Sequence, residues 1–295
     1  MTNERILDAI GGISESAVRD AKAYRRPGFR RRRRWAAAAA CLCLAAAIAI
    51  PVLHHKGGTG REDPRHDIAA LEFNGKYYEA VNLPKVLEKY GLPPEITADM
   101  AGAHLSYLKS DGGIGYRCTA GQTDIALYQY APAACDGVYL LRDGETWYAA
   151  LFCNFYRFDG STNCPLTELY RVYGIESADD IASVAEMQQG NEQVIGSPVT
   201  NRREIAGFYD MTAALESYGN DDFQAEVFGG IPEEKQQEAH SAFAEDRRNL
   251  RIETKDGLRF FLAFYPGYDW MDGGGTLSYF KTDGPLRDWL ARNFG

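Results

Sequence analysis

Five consecutive arginines run directly into an uncharged stretch from Trp35 to Leu53, and this junction constrains the chain more than any other feature. A helix over that stretch is roughly 28 Å long, close to the ~30 Å hydrocarbon core of a bilayer. Because lysine and arginine are retained on the cytoplasmic side during insertion, we expect residues 1–34 inside and everything after His54 outside. The residues that set this topology are Arg30, Arg31, Arg32, Arg33, Arg34 and Trp35.

The charge of the chain divides at the same junction. Residues 1–34 carry ten Lys and Arg against four Asp and Glu, a net charge of +6, whereas the remaining 22 basic and 37 acidic residues give −15. Basic residues face anionic inner-leaflet lipid, while an acidic outer domain stays soluble and avoids anionic surfaces. The lipid bilayer is therefore the expected partner, nucleic acid is not, and the protein is expected in the cell membrane as a single-pass chain with an extracytoplasmic C-terminal domain.

A cleaved secretory signal peptide is the alternative to an anchor, since Ala47, Ile48 and Ala49 resemble a small-residue cleavage site. The uncharged run is longer than the usual length of about 7–15 residues in a signal, and the preceding segment is long as well. Nine residues of the run are alanine, so its insertion is favourable by only about 3 kcal/mol. These features favour the anchor.

The inner segment carries one apolar stripe near helical spacing, formed by Ile6, Leu7, Ile10 and Ile13. A segment of this length cannot bury a hydrophobic core alone. We therefore expect it either to lie on the membrane surface or to become ordered on a partner, with the stripe as the candidate partner-binding face.

Residues 54–67 form a linker rich in glycine and charge, and about 228 residues of globular sequence follow. Hairpin signals recur there at Asn74-Gly75, Asp143-Gly144 and Asp256-Gly257, dipeptides that supply the positive φ of tight turns. Helices are predicted over 83–90, 165–173, 178–187, 201–218, 232–248 and 285–293, and a last strand over 276–281. Strand pairs with helices between them indicate an α+β fold with largely antiparallel sheet, in two lobes over residues 68–190 and 191–295.

Four cysteines lie outside the uncharged run, namely Cys118, Cys135, Cys153 and Cys164. An even number in a non-cytosolic domain permits disulfides, although the sequence leaves their connectivity open. None forms a close C-x-x-C pair, which disfavours a structural zinc site. Free buried thiols are the alternative.

The sequence contains no convincing catalytic signature. Ser106 and Lys109 match the S-x-x-K pattern of penicillin-recognising enzymes, but Asp283 interrupts the nearest counterpart of their K-T-G strand. Metalloprotease, nucleotide-binding and calcium-loop motifs are absent from the sequence. Hence we predict no catalytic residue, no metal ligand and no cofactor, and do not expect an enzyme.

The loop over residues 265–275 combines glycines with the aromatic residues Tyr268 and Trp270. Aromatic rings on long loops can supply contact area for a ligand, which makes the pair a candidate ligand loop. The alternative, which we favour, is a hairpin connection whose two rings fold back onto the core.

The N-terminal leader resembles that of single-pass membrane proteins from clostridial bacteria. The resemblance rests on residues Asn3 to Gly11, the arginine block, and Trp35 followed by an alanine run and Cys-Leu-Cys-Leu. Some of these proteins look like anti-sigma-factor or sigma-linked regulators, which implies a sensory or regulatory role with a cytoplasmic partner such as a sigma factor. Zinc-binding anti-sigma domains use His and Cys ligands, and neither residue type occurs before Cys41, so such a role would depend on the Ile6 to Ile13 stripe. The alternatives are an outer ligand- or surface-binding module without signalling and, less favoured, an extracytoplasmic hydrolase.

Overall fold

The computed structural model describes residues 70–110, 115–119, 121–155, 164–189, 193–274 and 278–294. The expected inner segment with its stripe from Ile6 to Ile13, the arginines with Trp35, the membrane span and the linker all lie outside these residues. Among the described helices, none has the length and apolar character that a membrane crossing requires.

The first seven strands build a closed barrel. They are β1 (Ala70–Phe73), β2 (Lys76–Val81), β3 (Ala101–Ser110), β4 (Gly115–Thr119), β5 (Ile125–Tyr130), β6 (Val138–Asp143) and β7 (Thr146–Phe155). Their order around the barrel is β1-β2-β7-β6-β5-β3-β4, and all pairs are antiparallel except β1 with β4, whose parallel pairing closes the barrel. The hairpin predicted at Asn74-Gly75 is confirmed, since both residues have positive φ, 49° and 69°.

Side chains alternate between the inside and the outside of this barrel, as the period of a strand requires. On β6, Tyr139 and Leu141 belong to the main core, whereas Val138 and Leu140 face outward. The outward pair would be exposed without a cover. Helix α1 (Pro84–Lys89) provides it, with Leu87 fully buried against this patch.

The second sheet also has seven strands. They are β8 (Ile181–Met187), β9 (Val194–Val199), β10 (Ser217–Tyr218), β11 (Arg248–Thr254), β12 (Arg259–Tyr265), β13 (Trp270–Asp272) and β14 (Tyr279–Lys281). Their order is β10-β14-β13-β12-β11-β8-β9, and every pair is antiparallel. The antiparallel α+β architecture predicted from the sequence is confirmed for the described residues.

Helices cover both faces of the second sheet. The remaining helices are α2 (Leu166–Val172), α3 (Arg202–Ala213), α4 (Asn220–Phe228), α5 (Glu233–Glu245) and α6 (Gly284–Phe294). Helices α2, α3 and α6 share one core with strand residues such as Leu250 and Leu262. On the opposite face, Phe223 of α4 and Phe243 of α5 pack around Tyr265 and Trp270.

Barrel and second sheet share a continuous core within one compact unit, Asp63–Gly295. Tyr173, directly after α2, stacks on Phe260 of the sheet with ring centroids 4.5 Å apart and meets Phe152 of the barrel edge to face. Gly137 fits beneath this ring because a Cβ there would lie 2.7 Å from a ring carbon of Tyr173. The aromatic contact therefore joins the two sheets.

Most predicted helices are confirmed, although several are shorter than expected. Helix α3 begins where the capping signal placed it, since the Asn201 side chain accepts hydrogen bonds from the amides of Arg203 and Glu204. It ends at Ala213, before Gly219, because the chain turns into the short strand β10. Helix α4 was not predicted, as it starts directly after that glycine.

The helix predicted over 178–187 is wrong. Ser177 and Asp180 do form a capping box, but they cap only the 3-10 turn Ala178–Asp180, and β8 follows at once. This strand lies between β11 and β9 and is buried on both faces, so its apolar residues lack the alternation that marks a half-buried strand. The predicted lobe boundary after residue 190 is misplaced for the same reason, since β8 precedes it yet pairs within the second sheet.

Candidate anion-binding cleft

The four cysteines of the outer sequence form no disulfide in the described residues, which corrects the disulfide prediction. The alternative of free buried thiols is confirmed as to the free state, but only Cys164 is buried, while Cys118 and Cys153 are exposed. Cys118 lies in β4, Cys135 in the loop before β6, Cys153 in β7, and Cys164 two residues before the start of α2. Cys164 is buried, and its Sγ lies 3.5 Å from Glu168 Oε2. Burial, aided by Glu168, raises the pKa of Cys164 to about 12, so this thiol stays protonated and is a poor nucleophile at neutral pH.

The candidate ligand loop folds back onto the core. Trp270 is only 2% exposed and meets Phe223 edge to face at 5.2 Å, while Tyr268 packs against Phe243 at 5.0 Å. Both rings thus pack against α4 and α5, as the favoured alternative predicted, and the candidate ligand loop is not supported. Their aromatic character reflects packing rather than recognition.

The S-x-x-K pattern is also structural. Ser106 and Lys109 lie on the continuous strand β3, where side chains three positions apart point to opposite faces. Ser106 Oγ donates to the carbonyl of Tyr107 at 3.0 Å. Ser106 and Lys109 therefore lie on opposite faces of β3, so the lysine is not beside the serine as it is in the S-x-x-K enzymes.

A cleft of about 200 Å³ opens where α1 of the barrel meets strands β8, β11 and β12 of the second sheet. Its lining residues are Glu88, Lys89, Met187, Arg251, Arg259 and Phe261. None of these was singled out in the sequence. The structure thus brings together residues that are far apart in the chain.

The β11–β12 hairpin supplies one wall of the cleft. Its register places Arg251 opposite Phe261 and Glu253 opposite Arg259. Because side chains alternate along a strand, these four point away from the main core, to which their neighbours Leu250, Ile252, Phe260 and Leu262 belong.

Helix α1 supplies the other wall, and backbone contacts hold it against the hairpin. The Arg259 amide donates to the carbonyl of Tyr90 at 3.0 Å, and Arg259 Nη1 donates to the carbonyl of Glu88 at 3.1 Å. Gly91 permits this approach, since it has a φ of +79° and a Cβ there would lie 1.9 Å from the carbonyl oxygen of Gly257. The width of the cleft is therefore set by main-chain contacts.

One carboxylate serves both arginines of the cleft. Arg259 Nε donates to Glu253 Oε2 at 3.2 Å, whereas Arg251 Nη2 lies 3.6 Å from the same oxygen, beyond good hydrogen-bond distance. Lys89 brings a third positive charge, with its Nζ 5.1 Å from the centroid of the Phe261 ring. Three cations against Glu88 and Glu253 leave the lining positively charged.

Of the two arginines in the cleft, Arg251 makes fewer side-chain hydrogen bonds than Arg259. Its side chain is only 15% exposed, and its buried Nε donates no hydrogen bond to any described residue. Burial and then the like charge of Arg259 lower the pKa of Arg251, while Glu253 opposes that shift. A buried donor left without an acceptor costs about 1–3 kcal/mol, so a shift of this side chain that gave Nε an acceptor would be stabilising.

Sequence reasoning missed the cleft because it treated the hairpin residues only as strand formers. The available signal was the placement of Arg251, Glu253 and Arg259 on the same face of a predicted, otherwise apolar hairpin. The contribution of α1 had no such signal, since it depends on how the barrel docks onto the sheet.

Comparisons of the chain with protein-family models, with curated proteins and with solved structures found no match. Among the described residues, no group of three or more His, Cys, Asp or Glu is placed to hold a metal ion. The interpretation of the cleft therefore depends on its own geometry.

Proposed function

We propose that this chain is a single-pass membrane protein whose extracytoplasmic α+β domain binds a small ligand in the cleft between α1 and the β11–β12 hairpin. The observation that carries the proposal is the pair of half-buried guanidiniums, Arg251 and Arg259, that share the single carboxylate of Glu253. Desolvating these charges is costly, so a ligand that completes their hydrogen bonding would be stabilised.

The position of the cleft supports binding as well. Its walls come from two substructures, the helix of the barrel and the hairpin of the second sheet, and ligand sites occur preferentially at such junctions. The sequence beyond residue 34 carries a net charge of −15, so a locally positive concave site stands out electrostatically from its surroundings.

Binding is tested on the full-length chain in detergent by thermal unfolding in the presence of small anionic, zwitterionic and neutral compounds. A ligand that binds the native state alone raises the melting temperature in a saturable manner. Phe261→Ala and Arg251→Gln alter the two sides of the hairpin wall and should reduce that shift. If no compound produces a shift that depends on either variant, the cleft is not the binding site.

The membrane topology follows from the charge asymmetry around residues 30–53 and has its own test. Protease added to intact cells should digest the C-terminal domain and leave a short protected N-terminal fragment. Protection of the C-terminal bulk would contradict the outer location. A mature chain that begins near Ile50 would instead establish cleavage of a signal peptide.

The sensory or regulatory role is the part of the proposal that concerns the inner segment. Ligand binding would be reported across the bilayer to a cytoplasmic partner such as a sigma factor, through the stripe from Ile6 to Ile13. Full-length protein should recover that partner in a pull-down, and the double variant Ile6→Asp and Ile10→Asp should not. Recovery of lipid alone by both chains would leave an outer binding module without signalling.

A further inference from the structure

We infer that the cleft takes a small oxyanion, a carboxylate or a phosphate, and that Arg251 is its principal hydrogen-bond donor. The inference deepens the proposed function by naming the ligand class, and it rests on that function. The rest of the lining of the proposed site includes the cations Lys89 and Arg259 and the apolar residues Phe261 and Met187.

Strand β11 also contains an arginine whose guanidinium has a carboxylate partner, and this residue can be compared with Arg251. Arg248, on the opposite face of the same strand, presents the edge formed by its Nε and Nη2 to Glu186, with distances of 2.6 Å and 2.7 Å to the two carboxylate oxygens. This fork geometry is the strongest way in which a guanidinium binds an oxyanion.

Arg251 lines the cleft, and the same edge of its guanidinium has no such partner in the described part of the chain. Its Nε is buried, so an oxyanion in the cleft engages both nitrogens of this edge only when the side chain turns towards the cleft. Its Nη2 reaches a carboxylate oxygen only at 3.6 Å, and its Nε has no hydrogen-bond acceptor among the described residues. Glu253 does not fill the edge in this structure, since its Oε2 accepts from Arg259 Nε at 3.2 Å and lies 3.6 Å from Arg251 Nη2. The arrangement lacks one acceptor pair, and a carboxylate or a phosphate carries that pair.

The size and lining of the cleft restrict the rest of the ligand. A volume of about 200 Å³ corresponds to roughly seven water molecules at ~30 Å³ each. Glu88 and Glu253 leave only a small excess of positive charge, which suits a single anionic group rather than a polyanion. Phe261 and Met187 offer apolar surface to a short organic substituent.

The test measures the affinity of the full-length chain in detergent for acetate, benzoate and inorganic phosphate, by thermal shift and calorimetry at constant ionic strength. Sodium chloride is the reference for general salt effects. We expect a saturable shift with at least one of the three oxyanions. Saturation with acetate or benzoate identifies a carboxylate site, and saturation with phosphate alone identifies a phosphate site.

Three variants test whether Arg251 is the hydrogen-bond donor to the bound oxyanion. Arg251→Gln should weaken binding by about tenfold or more, because it removes a charge-assisted fork. Arg251→Lys keeps the charge but loses the fork and should give a smaller loss. Arg142→Gln is the matched control, since Arg142 is an exposed arginine of the barrel, and it should bind like the unmodified chain.

Arg251→Gln should melt at the temperature of the parent chain or above it without ligand, which shows that the variant folds. Equal oxyanion affinity in Arg251→Gln and the parent chain would overturn the inference. If a neutral compound binds and Phe261→Ala abolishes that binding while no oxyanion binds, the ligand class is wrong and the proposed function stands. If no compound binds in a manner that depends on Phe261 or Arg251, both fail.

Discussion

Arg248 and Glu186 form a bidentate ion pair that fixes the C-terminal helix to the second sheet. Glu186 is 6% exposed in its side chain, and the two guanidinium nitrogens lie 2.6 Å and 2.7 Å from its oxygens. Nη2 of Arg248 also donates to the carbonyl of Phe294, the last residue of α6. A single guanidinium therefore links β8, β11 and α6.

Glu186→Gln should destabilise the protein by about 2 kcal/mol, because it leaves a partly buried guanidinium with a neutral and poorly matched partner. Urea unfolding of the full-length chain measures the loss. Glu234→Gln, in the exposed first turn of α5, is the control and should change stability by less than about 0.5 kcal/mol. Equal losses for the two variants would show that the pair is dispensable.

Gly91→Ala should cost at least about 3 kcal/mol, because strain at positive φ is joined by a clash with main chain. The new methyl group would lie 1.9 Å from the carbonyl oxygen of Gly257 and would force α1 away from the hairpin. Gly75→Ala is a matched control, since φ is +69° there and nothing lies within 4 Å of the added Cβ. We expect about 1–2 kcal/mol for that control. Similar losses in denaturant unfolding would contradict the tight approach at Gly91.

Local chemistry made the hairpins and most of the helices predictable. Asn74-Gly75 and Asp256-Gly257 dictate tight turns whatever the tertiary context, and Asn201 caps α3 through its own side chain. Such signals depend on a few adjacent residues. They survive because nothing elsewhere in the fold opposes them.

Features that depend on distant contacts were not predictable. Strand β8 has an apolar sequence that fits a buried helix and a buried strand equally well, and only its place between β11 and β9 decides the outcome. The cleft is a stronger example, because Lys89 and Arg251 meet only after the barrel has docked on the sheet. The pairing of cysteines likewise depends on distances that no spacing along the chain reveals.

All four cysteines of the outer domain should be free thiols. Labelling in denaturant without reductant, followed by peptide mass spectrometry, should modify Cys118, Cys135, Cys153 and Cys164 fully. In the native protein Cys118, which is exposed, should react sooner than the buried Cys164, whose pKa is raised to about 12 by burial and by Glu168. A disulfide-linked peptide containing two of these residues would contradict the expectation.

The neighbours Phe260 and Phe261 lie on opposite faces of β12 and should respond differently to truncation. Phe260→Ala should cost about 3–5 kcal/mol, because it opens a cavity beside Tyr173 where barrel and sheet meet. Phe261→Ala removes a half-buried ring from the cleft and should cost about 1 kcal/mol. Guanidinium chloride unfolding of the two variants measures the difference. Equal costs would mean that the aromatic joint does not hold the two sheets together.

Asp180 should make stability depend on pH in the acid range. The hydrogen bond from Lys255, followed by those from the amides of Glu176 and Ser177, lowers the pKa of Asp180 from 3.8 to about 2. Since the folded state has the lower pKa, Asp180 contributes its stabilisation above the unfolded value. That contribution is lost as the pH falls from about 4 towards 2. Asp180→Asn removes the titrating group, so the difference in unfolding free energy between the parent chain and this variant should shrink over that interval. A difference that stays constant from pH 5 to pH 2 would show that Lys255 and the turn amides do not stabilise the carboxylate.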